Sequence, residues 1–144
     1  MIGIIKARFT LVMGILNVTP DSFSDGGRFD QLDHAVAQAV QMAHDGADII
    51  DIGAESTRPG HEPISAATEI ARLRPVLDAL KGKIPCPISV DTMKAPVANV
   101  ALSLGASIIN DVWGFRRDPR LATLAAEAGA AVVLMHNRET IDPT

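Results

Sequence analysis

The sequence predicts an α/β fold: parallel (β/α) units forming the N-terminal part of a TIM (β/α)8 barrel, about four βα units plus a fifth strand. Three observations predict it. Short apolar, branched runs alternate with longer stretches whose apolar residues recur at helical spacing, the pattern of a parallel sheet covered by helices. Polar residues, namely Asn17, Asp51, Asp91, Asn110 and His136, fall near the C-terminal ends of the successive apolar runs. In a parallel sheet the strand C-termini share one rim, where barrel enzymes build their sites from several strands at once. An open doubly wound sheet would instead confine its ligand to one crevice, and the Gly-x-Gly-x-x-Gly turn of its dinucleotide-binding form is missing after the first run.

The first strand is read from LVMGILNV (11–18), which breaks at Pro20 into a polar loop holding Phe23 and Gly26-Gly27. Leu32, Ala35, Val36, Ala39, Val40 and Ala43 then lie on one helical face, closed at Gly46. ADIIDIGA (47–54) is the second strand. A helix over about 65–81 uses Ile70, Leu73, Leu77 and Leu80, and Pro75 inside it predicts a kink or restart. PISVD (87–91) is the third strand, and the helix over 94–104 turns Val97, Val100, Ala101 and Leu104 to one side. SIIND (107–111) is the fourth strand. Asp118-Pro119 reads as an N-cap with proline at the first helical position, opening a helix that runs to about Ala128. AAVVLMH (130–136) is the fifth strand. A full barrel takes about 200–250 residues or more. Residues 1–144 are therefore read as the N-terminal portion of one barrel domain, its C-terminal half supplied by further residues or by a second chain.

Bulk properties exclude several classes of function. With 47% hydrophobic and 21% charged residues the chain has the composition of a folded domain. A net charge of −4, 3% aromatic residues and no tyrosine argue against a nucleic-acid surface. No apolar run approaches the ~20 residues of a membrane span, and Lys6 and Arg8 interrupt the N-terminal apolar stretch where a signal peptide would be continuous. Cys86 is the single cysteine and reads as a small core residue, so no internal disulfide forms and a cytoplasmic location is expected.

The polar rim suggests chemistry. Arginines fall in the loops after strands one, two, four and five: Arg28, Arg58, Arg116, Arg117 and Arg138. In an acidic protein they point to a local anion site, since guanidinium forks suit phosphate oxygens. Arg58 stands out because Ser56, Thr57 and Gly60 surround it with hydroxyls and backbone N–H groups. Asn17 has a carbonyl oxygen to offer a hard cation such as Mg2+, the usual companion of a diphosphate. Asp91 and Asn110 either read one edge of an amino-nitrogen heterocycle or act as N-caps and strand-end acceptors. His34, His44 and His61 lack metal-ligand spacing and read as surface, and His136 stands alone on the rim.

GILNVTPDSFSDGG (14–27) and DIIDIGAESTRPG (48–60), in that order and spacing, closely resemble the two signatures of the dihydropteroate synthase family. SVDT (89–92), INDVWG (109–114) and VLMH (133–136) continue the resemblance over essentially the whole chain. The resemblance implies a pterin-binding TIM barrel that joins 6-hydroxymethyl-7,8-dihydropterin diphosphate to p-aminobenzoate in folate synthesis, with Mg2+ assisting departure of diphosphate and sulfonamides mimicking the arylamine. Carried over by position, Asp91 and Asn110 match the pterin-binding pair and Asn17 the residue holding metal and diphosphate. Thr57 and Arg58 match the second-loop anion contacts, which with Asp91 and Asn110 makes Arg58 a catalytic candidate. Phe23 and Pro59 match the residues that close over p-aminobenzoate, the first from a lid loop. Val112 and Met135 match apolar walls of the pterin slot.

The resemblance also implies a homodimer of the whole protein, formed through C-terminal barrel helices. It places further pterin contacts on later strands, in Ser-x-Lys and Arg-x-His segments that this sequence does not contain, and NRETIDPT after His136 departs from the commoner Met-Arg-Gly. The isolated chain is therefore not expected to catalyse efficiently. A non-catalytic pterin- or diphosphate-binding half-barrel is the alternative, as is a pterin-dependent methyltransferase domain, which shares the barrel but not the first-loop sequence.

Overall fold

A computed structural model describes residues 9–19, 28–56 and 62–136. Among the described residues nine elements follow one another: β1 (Met13–Asn17), α1 (Arg28–His44), β2 (Ile49–Gly53), α2 (Ala66–Leu80), β3 (Ile88–Asp91), α3 (Ala95–Ser103), β4 (Ile108–Asp111), α4 (Arg120–Ala128) and β5 (Ala131–Leu134). The strands form one sheet in the order β1-β2-β3-β4-β5, every neighbouring pair parallel. Each element expected from the sequence is present. Strands are trimmed by one to three residues at their ends, and α1 begins a turn earlier than the apolar pattern showed. Among the described residues no helix is long and apolar enough to cross a membrane.

Strand alternation sends side chains to two faces. On one face Leu16, Ile52, Val90 and Ile109 occupy a single row in register and are fully buried. They join Ala35 and Ala39 of α1, Leu73 and Leu77 of α2, Val97 and Ala101 of α3, and Leu121 and Ala125 of α4 in one core. Ile49 and Ile108 are also buried but lie outside that core, as their opposite parity requires. Helices thus cover one face, and the polar strand ends belong to the other.

Local signals explain the helix boundaries. Ser65 caps α2 by accepting the Thr68 N–H at 3.1 Å. The helix then runs as one element through Pro75, against the expected restart. Pro75 and Ala71, whose carbonyl loses its partner, are both solvent-exposed, so water can replace the missing bond. Gly129 ends α4 in the left-handed conformation at φ +63°, where its lack of a Cβ avoids the usual penalty.

Asp118 does more than the sequence suggested. Its Oδ1 accepts the Arg120 N–H at 3.3 Å at the start of α4, while its Oδ2 accepts the Ala95 N–H at 2.9 Å at the start of α3. One carboxylate therefore accepts the first N–H of two helices, although the cap position of α4 is Pro119, one residue later than the sequence suggested. Hydrogen bonding from Arg120 lowers its pKa from 3.8 to about 2 against an opposing effect of desolvation, the backbone N–H groups adding to the shift. Asp118→Ala is expected to cost about 1–2 kcal/mol near neutral pH, the scale of a lost N-cap. A depressed carboxylate stabilises fully above its unfolded value and loses that contribution as pH falls. The difference in urea midpoint between Asp118→Ala and the parent should therefore persist at pH 5 and fade as pH drops toward 2.

Candidate functional site

The open face of the sheet carries one continuous row. Asn17 pairs in register with Gly53, Gly53 with Asp91, Asp91 with Asn110, and Asn110 with Val133. Partners in a parallel ladder point to the same side, so Asn17, Asp91 and Asn110 share one surface at the C-terminal ends of their strands. Gly53 leaves the gap in that row. A Cβ there would lie 3.4 Å from Asp91 Oδ2 and 3.8 Å from Asn17 Oδ1, so both oxygens border the space that glycine keeps open.

One step below, Asp51 and Ser89 are register partners on the same face, both buried. Asn110 donates Nδ2–H to Asp51 Oδ2 at 3.0 Å. A carboxylate only accepts, so this bond fixes the amide's orientation and leaves Asn110 its carbonyl oxygen and a second N–H for a ligand. Asp51 Oδ1 and Ser89 Oγ are buried without a protein hydrogen-bond partner, marking the floor of the row as polar ground where a ligand's donors would be welcome.

Behind Asp91 lies a buried ion trio. Lys94 Nζ bonds Glu55 Oε2 and, at 2.7 Å, Glu69 Oε2. Glu69 is fully buried and Glu55 nearly so. Glu55 Oε1 accepts the Ile64 N–H at 3.1 Å, joining the end of β2 to the approach of α2, and Arg72 donates to the Ala54 carbonyl at 3.0 Å. Burial is the main reason the Asp91 carboxyl is pushed up to about 7, and the negative charges of Asp51, Glu69, Asp111 and Glu55 add to it. A carboxyl that can change charge near neutrality, set in a cleft among named partners, is a functional-site signal. Val112 borders Asp91 across a small cavity of about 10 Å³, together with Glu55, Glu69, Thr92 and Met93.

A family model described as pterin binding enzyme matches residues 13–143. The chain belongs to the pterin-binding enzyme family. Dihydropteroate synthase of Bacillus subtilis (strain 168) is 59% identical over 129 residues, 90% of this chain and 45% of the relative. A Clostridium difficile dihydropteroate synthase, solved in the presence of pteroic acid, superposes with a TM-score of 0.88 at 50% identity, covering 95% of this chain and 53% of that one. Xanthomonas albilineans dihydropteroate synthase with 4-aminobenzoic acid gives a TM-score of 0.82 at 46% identity, covering 88% and 46%. The chain thus spans about half the length of these pterin-binding relatives. Its five strands and intervening helices are βα units of a TIM barrel, as the sequence indicated.

Within this member of the pterin-binding family, the expected trio Asn17, Asp91 and Asn110 stands together on one face. Val112 borders Asp91, and Met135 follows β5 half-exposed at the rim. Phe23, Thr57, Arg58 and Pro59 lie outside the described residues, as do the side chains of Arg28 and Arg138. Arg116 and Arg117 both engage Trp113: Arg116 Nε bonds its carbonyl at 3.2 Å, and the Arg117 guanidinium sits 4.4 Å from its ring centre. Cys86 packs half-buried against the core, and His34, His44 and His136 are exposed. Sequence reasoning assigned no role to Glu55, Glu69, Lys94 or Asp111. Lys94, three residues past Asp91 on the same rim, was the available signal; its partners lie 39 and 25 residues away along the chain.

Proposed function

We propose that the chain is the N-terminal portion of a dihydropteroate synthase, whose whole barrel condenses 6-hydroxymethyl-7,8-dihydropterin diphosphate with p-aminobenzoate to give 7,8-dihydropteroate and diphosphate. The row Asn17–Asp91–Asn110 carries the reading, supported by the family match and by relatives of that name. Ionised Asp91 can accept two N–H bonds from an amino-nitrogen heterocycle, while Asn110, oriented by Asp51, offers both a donor and an acceptor. Together they orient a flat ring. Asn17, across the Gly53 gap, is then on the side of the leaving group. In the reaction the carbon–oxygen bond to diphosphate breaks, a carbon–nitrogen bond to the arylamine forms, and the amine gives up a proton.

Mg2+ suits this arrangement. Asn17 Oδ1 is a hard, neutral oxygen bordering the gap, and Mg2+ binds through few protein oxygens plus substrate phosphates and water. When bound, it would neutralise charge on the departing diphosphate. Thr57 and Arg58 are proposed as further anion contacts, and Phe23 and Pro59 as the arylamine-side residues, which would make this a sulfonamide-sensitive surface. The reading includes small-molecule substrates, a cytoplasmic enzyme and a homodimer of the whole protein. The net charge of −4 and the lone Cys86 support the absence of nucleic acid and a reducing compartment.

The test is diphosphate release that requires p-aminobenzoate, measured for this chain and for this chain joined to the remaining length of its relatives. Release by the longer protein and its loss in Asp91→Ala support the reading. Pterin binding without release supports the half-barrel binding module instead, and methyl transfer without p-aminobenzoate dependence supports the methyltransferase alternative. The Gly53 gap adds a sharper expectation. Gly53→Val should fill the space between Asn17 and Asp91 and weaken 6-hydroxymethylpterin binding at least tenfold in a fluorescence titration. Its melting temperature should fall as well, because the valine methyls reach past a Cβ position already in contact with Asp91, whereas Gly53→Ala, which adds only that Cβ, should weaken binding with little loss of stability.

A further inference from the structure

We infer that Asp111 is a positioning residue for this site: its buried carboxylate holds the turn after β4 in the left-handed form that sets Val112 beside Asp91 and lays Gly114 on the end of β5. The inference rests on the pterin reading only for the ligand used as a probe; the geometry stands apart from it.

Asp111 follows Asn110 on β4, so its side chain points to the opposite face and away from the row. It is fully buried. Its Oδ1 accepts the Trp113 N–H at 2.9 Å and its Oδ2 the Phe115 N–H at 2.8 Å. Its backbone carbonyl accepts the Gly114 N–H at 3.1 Å and the Met135 N–H at 3.2 Å. One residue thus ties down three successive N–H groups of the turn and the end of β5.

The turn needs this support. Gly114 and Phe115 have φ of +59° and +63°, and Phe115 is the one non-glycine residue with positive φ among the described residues. Side chains avoid that region. Consecutive N–H groups in such turns converge into a small anion-binding concavity; here the occupant is the protein's own carboxylate. Gly114 is required twice over, because a Cβ on it would come within 3.1 Å of the Met135 carbonyl oxygen. Val112, between Asp111 and this turn, borders Asp91 across the small cavity. At the end of β4 Asp111 itself acts as a strand-end acceptor.

Trp113, the chain's single tryptophan, reports on the turn directly. In Asp111→Asn, one carboxylate oxygen becomes an N–H2 donor facing an N–H. Amide hydrogen exchange at Trp113 and Phe115 should quicken at least tenfold, Trp113 emission should shift to the red, and the Asn110 side-chain amide resonances should move. Exchange at Ile50 and Ile52 should stay as in the parent. Affinity for 6-hydroxymethylpterin should fall about tenfold or more. Gly114→Ala keeps the carboxylate but crowds β5, and should move the same Trp113 and Asn110 signals; it decides the matter if Asp111→Asn does not fold. Unchanged Trp113 and Asn110 signals in a folded variant would overturn the inference, as would a loosened turn with pterin affinity intact. A parent chain that binds no pterin would count against the functional reading, while the exchange, emission and Asn110 signals would still decide the role of Asp111.

Discussion

Asp91→Asn is expected to make the protein more stable at pH 8 and less able to bind its ligand. In the folded chain the Asp91 carboxyl is raised from 3.8 to about 7, first by burial and then by the carboxylates of Asp51, Glu69, Asp111 and Glu55. A raised carboxyl means that the folded state holds its proton more tightly than the unfolded state. As pH climbs from about 4 to about 7 the unfolded chain releases that proton first, and stability falls. Above about 7 the folded protein carries a partly buried charge at a cost of at most about 4 kcal/mol, taking 1.36 kcal/mol per pH unit. Asparagine removes the charge and keeps the shape. Urea unfolding at pH 8 should show the variant stabilised by up to that amount, and at pH 4 the two proteins should coincide. A variant destabilised at pH 8 would mean that the Asp91 charge is compensated within the fold. Pterin affinity in the parent should weaken below pH 7, as the acceptor is protonated, and be low at every pH in the variant.

Lys94→Met should have the opposite effect on stability. Lys94 is held between Glu55 and Glu69; burial lowers its pKa, but bonds to the two carboxylates outweigh that and raise it overall, so it stays charged across the neutral range. Removing it strands Glu69, which is fully buried and has a second oxygen, Oε1, without a hydrogen-bond partner. Breaking a buried pair from one side typically costs about 3–5 kcal/mol. The loss should appear as a lowered urea midpoint at pH 7. In the double variant with Glu69→Gln it should be partly recovered, because the stranded charge is gone. Carboxyl NMR of Lys94→Met should also find Asp91 titrating higher than in the parent. Additive losses in the double variant would show that the trio does not act as a unit.

The architecture was readable because the strands are short branched apolar runs set between helical repeats, and β1, β3 and β4 close on a polar residue. Asn17, Asp91 and Asn110 were found for the same reason, since strand C-termini in a parallel sheet meet on one rim whatever lies between them. Their common register row was not readable, because the chain does not announce how strands are staggered. The trio of Glu55, Glu69 and Lys94 was hidden for a different reason. Each member alone resembles a surface charge, and only folding brings β2, α2 and the approach to α3 together. Pro75 did not restart the helix, because it and Ala71 face water, which can take the place of the missing bond. Asp118 was read as serving the start of α4, one position off the observed cap residue Pro119, and its bond to α3 was hidden because that helix starts 23 residues earlier in the chain.

The strand order has a consequence for how the protein is made. Because β1 to β5 lie side by side in the order in which they are synthesised, each new βα unit finds its docking surface already exposed by the one before. Assembly can keep pace with the ribosome, N-terminal units first, and among the described strands none has to thread between earlier ones. The newest strand is always the edge. In β5, Val132, Val133 and Leu134, with Met135 just beyond, are all partly open to solvent. That margin is an open sheet edge, where two copies would most readily stick to each other.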